Sequence, residues 1–237
     1  MSVKGKLYLI PTTLGDTGET SDVIPIKINS LVNLIDEYIV ENEKSARHFL
    51  KKIGIKKSLN EIVLHPLNQH TLANEVKHYL DSIAIGKNIG LISEVGCPAI
   101  ADPGEVIVKL AHKNNIQVIP LVGPSSILLA LMASGMNGQN FTFNGYLPKE
   151  RSERVSKIKE LERLVKQKNQ TQIFIETPYR NLHLIEDILS SCDTNSMICV
   201  ASDITLPTEF IITKSVQEWK KQLPDINKRP TIFIIGK

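Results

Sequence analysis

Read for the spacing of its apolar residues, the first half of the chain alternates between two periods. Lys6–Pro11 (KLYLIP) is a short apolar run and reads as a strand; Asn29–Glu37 carries apolar residues at helical spacing. Tyr38–Glu41 is again strand-like, and Glu43–Ile53 is helical, stopped by Gly54. Glu61–His65 predicts a strand. Thr71–Ala84 predicts a helix with Thr71 as its N-cap, and Asn88–Ser93 a further strand. Glu105–Asn114 then reads as helix and Ile116–Val122 as strand. Five strands alternating with helices predict a mostly parallel sheet with helices on both faces.

The second half alternates less regularly. Ser125–Ser134, Glu150–Lys168 and Arg180–Ser191 are helical in pattern, with a short helix at Ser215–Leu223. Strand-like runs fall at Phe141–Tyr146, Thr171–Glu176, Met197–Ser202, Glu209–Lys214 and Pro230–Gly236. Two strands close together near the end predict hairpin-like or mixed pairing. Gly123-Pro124 punctuates the change of pattern. The fold expected is therefore α/β, with two α/β domains at 1–121 and 122–237, the second built on a mixed sheet.

Composition adds limits. At 42% hydrophobic and 22% charged, the 237 residues can form proper cores and are not disordered. The opening MSVKGKLYLIPTTLG lacks a leader pattern, and the apolar SILLALMA is too short for a membrane span. Cys97, Cys192 and Cys199 form neither a CxxC nor an even framework, so the expectation is a cytoplasmic protein without disulfides. The net charge is +3: residues 1–120 balance at 13 basic and 13 acidic, so the excess lies beyond them. Lys149–Lys168 holds eight basic and four acidic residues, either a surface that steers a nucleic-acid backbone or a solvated face with pairs such as Glu153–Lys157.

One stretch is unusual. LISEVGCPAIADPG (Leu91–Gly104) follows a predicted strand and precedes a helix, and it combines two prolines, which fix φ, with two glycines, which free it. Loops at the carboxyl ends of parallel strands carry ligands. Neither GxGxxG nor GxxxxGK[ST] occurs, so the two common nucleotide fingerprints are absent. His65 and His70 are separated by Pro66 with no carboxylate at ligand spacing, so no metal site is expected.

Five motifs in order carry a resemblance: IPTTLGD, EVGCPAIADPG, VIPLVGPSSILLALMASG, NGYLPKERSER and FIETPYR. The series resembles the tetrapyrrole methylase superfamily of S-adenosylmethionine-dependent methyltransferases. Within it, the chain is most similar to the branch that methylates a ribose 2′-hydroxyl of cytidine in small-subunit ribosomal RNA. The resemblance implies two α/β domains with S-adenosylmethionine in the cleft between them, a homodimer, and ribosomal RNA or the small ribosomal subunit as partner. Carried onto this sequence, the cofactor residues are Pro11, Thr12, Gly96, Cys97, Ile100, Ala101, Ser125, Ser126, Glu176, Ser202, Pro230 and Thr231. Free amides at the helix start in GPSS would suit a carboxylate.

On the acceptor side the sequence departs from the branch. Glu41 is kept, but Asn42 replaces a second acid, Lys44 an arginine and Gln69 an acid, and Glu94 takes the place of aspartate. Methyl transfer is an in-line displacement that depends mainly on positioning, and a ribose hydroxyl gains from a base. Glu41 is the candidate base. Asn42, Lys44, Lys149, Arg151 and Arg180 are the candidate substrate contacts. Two alternatives stay open: a methyltransferase acting on a tetrapyrrole precursor, and a non-catalytic paralogue that binds S-adenosylmethionine or RNA.

Overall fold

The computed structural model describes residues 4–16 and 19–237. Met1–Val3, at the start of the stretch expected to hold no leader, lie outside the described residues. The chain divides into two compact units, Met1–Ser125 and Ser126–Lys237.

The first unit runs β1 (Leu7–Ile10), α1 (Ile26–Val32), β2 (Glu37–Val40), α2 (Glu43–Lys52), β3 (Val63–Pro66), α3 (Ala73–Val76), β4 (Ile89–Ile92), α4 (Glu105–Lys113) and β5 (Val118–Pro120). Its five strands are ordered β3-β2-β4-β1-β5 and every neighbouring pair is parallel, as the alternation predicted. Side chains alternate across the pleat and build two cores. Ile10, Tyr38, Val40 and Ile92 pack against α1 and α2; Leu7, Ile39, Ile89 and Leu91 pack against the residues of α3, α4 and the turn between Tyr79 and Ile83. Each fully buried aliphatic side chain contributes about 1.5–3 kcal/mol.

That division locates the site. β1 and β4 are neighbours, yet the helix after β1 packs on one face of the sheet and the helix after β4 on the other. Their connections thus leave in opposite directions, which opens a crevice at the carboxyl ends of the two strands. Gly90 of β4 leaves room on one face for the Tyr38 ring and the Ile10 side chain, which a Cβ would meet at 2.6 and 2.8 Å.

Several element boundaries differ from the sequence expectation. The helix predicted over Thr71–Ala84 is only Ala73–Val76, followed by turns and a 3-10 helix at Asp81–Ile85. Thr71 is not its N-cap: the hydroxyl donates to Pro66 O (3.0 Å) and accepts from Asn68 N–H (2.9 Å), so it closes the preceding loop instead. The apolar spacing survives, since Val76, Tyr79, Leu80 and Ile83 are all buried. The helix expected at Asn29–Glu37 is Ile26–Val32, ended where the Asn33 side chain turns back to Asn29 O at 2.8 Å.

The second unit contains α5 (Ser126–Ser134), β6 (Phe141–Tyr146), α6 (Arg151–Lys168), β7 (Thr171–Ile175), α7 (Asn181–Ser191), β8 (Met197–Ser202), β9 (Phe210–Ser215), α8 (Val216–Trp219) and β10 (Thr231–Gly236). The strand order is β6-β7-β10-β8-β9, parallel between β6 and β7 and antiparallel elsewhere, which is the expected mixed sheet. Its core joins Phe174, Val200, Phe233 and Ile235 to α6, α7 and Trp219. α8 is shorter than predicted and begins with a capping box between Ser215 and Glu218. No helix among the described residues is long and apolar enough to cross a membrane.

Candidate active site

The loop after β4 is held by bonds between its own side chains and backbone. Asp102 Oδ1 accepts from the N–H groups of Ala99 (2.9 Å) and Gly104 (2.7 Å), and Gly96 O accepts from the Ser93 hydroxyl (2.8 Å). Thr12 N–H donates to Gly96 O at 3.0 Å and so ties the loop after β1 to the loop after β4. Gly96 has φ +72°, and Ala99 and Ala101 have φ +65° and +58°. Left-handed backbone at two alanines costs energy and concentrates at functional sites.

The proposed cofactor residues of the first unit meet on these two loops. Pro11 and Thr12 are buried, Cys97 is half-buried, and Ile100 and Ala101 are exposed. Cys97 Sγ lies 3.4 Å from Pro124 O, and burial pushes its thiol pKa up, which disfavours the thiolate. Thr12 Oγ1 is buried with no hydrogen-bond partner among the described residues. A buried hydroxyl left unpaired is costly, and a ligand at this spot would relieve it.

Glu41 follows β2 and lines a small cavity with Ser93, Asp102 and Gly104. Burial, then the nearby Glu94 and Asp102 carboxylates, raise its pKa above the usual glutamate value. Asp102 is raised as well, by burial, against the lowering effect of its two backbone donors. A carboxylate made more basic beside a ligand loop is suited to take a proton.

Asn42, a candidate substrate contact, has a structural task as well. It is the N-cap of α2, its Oδ1 accepting from the N–H groups of Lys44 (2.9 Å) and Ser45 (3.2 Å). Lys44 is exposed and lines a pocket of about 560 Å³ with Thr12, Asp16, Asn42, Ser45, His48 and Lys52. Glu94 lines the same pocket and accepts from the Ser45 hydroxyl at 3.2 Å.

In the second unit, Glu176, Ser202 and Thr231 gather at one end of the sheet. Thr231 pairs with Ser202 across β10 and β8, and Ile232 pairs with Ile175, the residue before Glu176. The Ser202 and Thr231 hydroxyls lie 2.7 Å apart, and Asn181 Nδ2 donates to Thr231 Oγ1 at 3.2 Å. Pro230, next in the chain, is exposed, and its carbonyl accepts from Asp203 N–H. Ser126 opens α5, and Ser125 precedes it at the end of the first unit.

The remaining substrate candidates are less free than their charge implied. Arg180 pairs with the buried Glu176 carboxylate at 2.5 Å, which commits both side chains to each other. Arg151 pairs with Asp187 at 2.8 Å, as does the buried Arg154 at 2.6 Å. Lys149 is exposed, and its carbonyl accepts from Arg154 at 2.6 Å. The pair expected between Glu153 and Lys157 is replaced by Lys157–Glu160, at 3.1 Å.

Sequence reasoning passed over Asp16, His48, Lys52 and Asp102. The spacing of Lys44, His48 and Lys52 was there to be read, one residue per turn of α2. The roles of Asp16 and Asp102 depend on loop geometry that no local pattern announces.

The same fold occurs in solved methyltransferase structures. The fold is that of the tetrapyrrole methylases: the chain is similar to the crystal structure of the methyltransferase CobJ, with a TM-score of 0.64 and 15% identity over 98% of this chain and 94% of that one. It is also similar to the uroporphyrin-III C-methyltransferase of Thermus thermophilus complexed with S-adenosyl homocysteine, at TM-score 0.57 and 14% identity over 98% of both chains. No family model matches the chain.

Sequence relatives settle the branch. Identity is 30% with the ribosomal RNA small subunit methyltransferase I of Buchnera aphidicola subsp. Schizaphis graminum, over 98% of this chain and 78% of the relative. It is 31% with that of Buchnera aphidicola subsp. Acyrthosiphon pisum and 28% with that of Escherichia coli O157:H7, with the same coverage. The chain belongs to the ribosomal RNA small subunit methyltransferase I family.

Proposed function

We propose that the chain transfers a methyl group from S-adenosylmethionine to a ribose 2′-hydroxyl of small-subunit ribosomal RNA. Near-full-length kinship with the ribosomal RNA methyltransferases carries this reading. The environment of Glu41 supports it.

The residues present fit such a cofactor. The unpaired Thr12 hydroxyl, the rigid Gly96–Ala101 main chain and the half-buried Cys97 form one wall in the first unit. Glu176, Ser202, Pro230 and Thr231 of the second unit, with Ser125 and Ser126, complete the proposed set. When bound, S-adenosylmethionine supplies an electrophilic methyl on a sulfonium, open to in-line displacement.

The chain's own part is to bind, orient and remove a proton. Glu41, raised by burial and by the Glu94 and Asp102 charges, accepts the proton of the 2′-hydroxyl as its oxygen attacks. Asp102 keeps the loop in shape through Ala99 and Gly104. Lys44, Lys149 and Arg151 would favour a polyanionic acceptor, and Arg180 would hold the Glu176 side chain in place. Asn42 contributes by setting the start of α2.

The protein is further proposed to work as a cytoplasmic homodimer. The free thiols of Cys97, Cys192 and Cys199 support a reducing compartment. The exposed apolar pair Leu128 and Met132 on α5 supports self-association.

The test is tritiated-methyl transfer from S-adenosylmethionine to small ribosomal subunits from cells lacking this protein, with free RNA and a tetrapyrrole precursor assayed in parallel. Label in the RNA at a 2′-hydroxyl is the expected result. Label only in the tetrapyrrole, or cofactor binding without any transfer, would replace the proposal with one of the two alternatives.

A further inference from the structure

The pocket along α2 contains two basic side chains, His48 and Lys52, that the proposed methyl transfer does not use. Lys44, His48 and Lys52 line it at intervals of four residues, about 6 Å apart along one helix face. Phe49 adds an apolar floor. The helix N-terminus is not the source of positive charge here, because Asn42 already occupies the amides of Lys44 and Ser45. The charge comes from side chains.

Two of these side chains hold an anion now. His48 Nε2 lies 3.1 Å from Asp16 Oδ1, and Lys52 Nζ lies 3.9 Å from the same oxygen and 3.2 Å from Asp16 O. The Asp16 side chain is 78% exposed, so its grip is of the weak, solvent-screened kind. Thr12, assigned above to the cofactor, lines the same pocket, which brings the cofactor wall and the basic stripe together. The other acid in the lining, Glu94, is engaged with Ser45 in the first turn of the helix, while His48 and Lys52 lie one and two turns further on.

We propose that this pocket is a phosphodiester subsite for the RNA strand, with Lys44, His48 and Lys52 as its donor wall and the Asp16 carboxylate as an internal occupant that an incoming phosphate displaces. A phosphodiester carries one negative charge and two non-bridging oxygens, as the carboxylate does, and it meets donors already arrayed around an anion that is exposed and only weakly held. The subsite sits on the same carboxyl-end edge as Glu41, one residue before the Asn42 cap, so a phosphate bound there would hold the strand beside the base. This inference rests on the RNA reading for its ligand but not for its anion.

Two titrations separate the two ideas. Binding of inorganic phosphate, followed by phosphorus NMR line broadening, tests the subsite alone. Binding of a short single-stranded RNA, followed by fluorescence anisotropy across a salt series, tests the ligand. Lys52→Gln and His48→Gln are expected to weaken both, and to lower the RNA salt slope by about 0.7 for each phosphate no longer neutralised. Asp16→Asn should tighten both several-fold, and Lys52→Arg should restore binding. S-adenosylmethionine affinity, unchanged in all four variants, serves as the check on folding.

Stripe-dependent phosphate binding without RNA binding would uphold the subsite and refute the RNA reading. RNA binding that ignores all four substitutions would overturn the subsite and leave the RNA reading intact. No phosphate binding by the wild-type chain, or an Asp16→Asn variant that binds phosphate more weakly, would also overturn it.

Discussion

Replacing Asn42 separates its structural role from the acidic role that the sequence resemblance implied for its position. Asn42→Ala removes the acceptor for two backbone N–H groups at the start of α2, at 2.9 and 3.2 Å. The position is exposed, so water takes over part of the task, and the expected loss is about 1 kcal/mol. Asn42→Asp keeps the cap. Its added charge gains from the helix dipole, about 0.3–1 kcal/mol, and loses against Glu41, Glu43 and Glu94 nearby, so its net change should be within about 0.5 kcal/mol. The assay must report on the right unit. Trp219, the sole tryptophan, lies in the second unit and is blind to α2. Amide hydrogen exchange in α2 is the suitable measurement. A loss of about 1 kcal/mol makes protected amides from Ala46 onward exchange about fivefold faster. Wild-type rates in Asn42→Ala, or an Asn42→Asp variant as labile as the alanine, would refute the capping account.

Other substitutions probe the rest of the account. Asp187→Asn strands the buried Arg154 guanidinium and should cost about 3–5 kcal/mol, read by Trp219 fluorescence in denaturant, whereas Arg151→Gln at the exposed end should cost at most about 1 kcal/mol. Burial would raise the Asp187 pKa, but the two arginines hold it below the usual aspartate value, so its stabilisation is present above the unfolded pKa and lost as pH falls through the folded one. Gly123→Ala would put a Cβ 2.2 Å from Pro11 Cγ, and displacing that proline should weaken S-adenosylmethionine binding by about tenfold, measured by calorimetry. Glu41 has a raised pKa, so methyl transfer should rise with pH through a value above that of an ordinary glutamate, while the folded state loses stability over the same window. Glu94→Gln removes one like charge and should move the activity profile to lower pH; an unmoved profile would exclude Glu41 as the titrating base.

Much of the fold was legible because it follows from local period. Runs such as Ile89–Ile92 and Thr231–Gly236 have no polar face and had to lie between layers. The segment after Thr71 was misread because its apolar spacing suits both an α-helix and a tighter 3-10 turn, and only the loop bonds of Thr71 decide between them. The Leu91–Gly104 loop announced itself through its prolines and glycines, but the left-handed conformations of Ala99 and Ala101 have no sequence signal. On the acceptor side, residue type alone made Asn42 look like a lost acid and Arg151 and Arg180 like free cations. Their partners, the α2 amides, Asp187 and Glu176, are between two and 36 positions away and appear only once the chain is folded.

The central claim is methylation of a ribose in small-subunit ribosomal RNA with Glu41 as base. The most direct test is nucleoside mass spectrometry of that RNA from cells lacking the protein, complemented with the wild-type chain or with Glu41→Gln. A 2′-O-methylated nucleoside that disappears on deletion, returns with the wild type and stays absent with Glu41→Gln is the predicted result. An unchanged nucleoside profile on deletion would contradict the account.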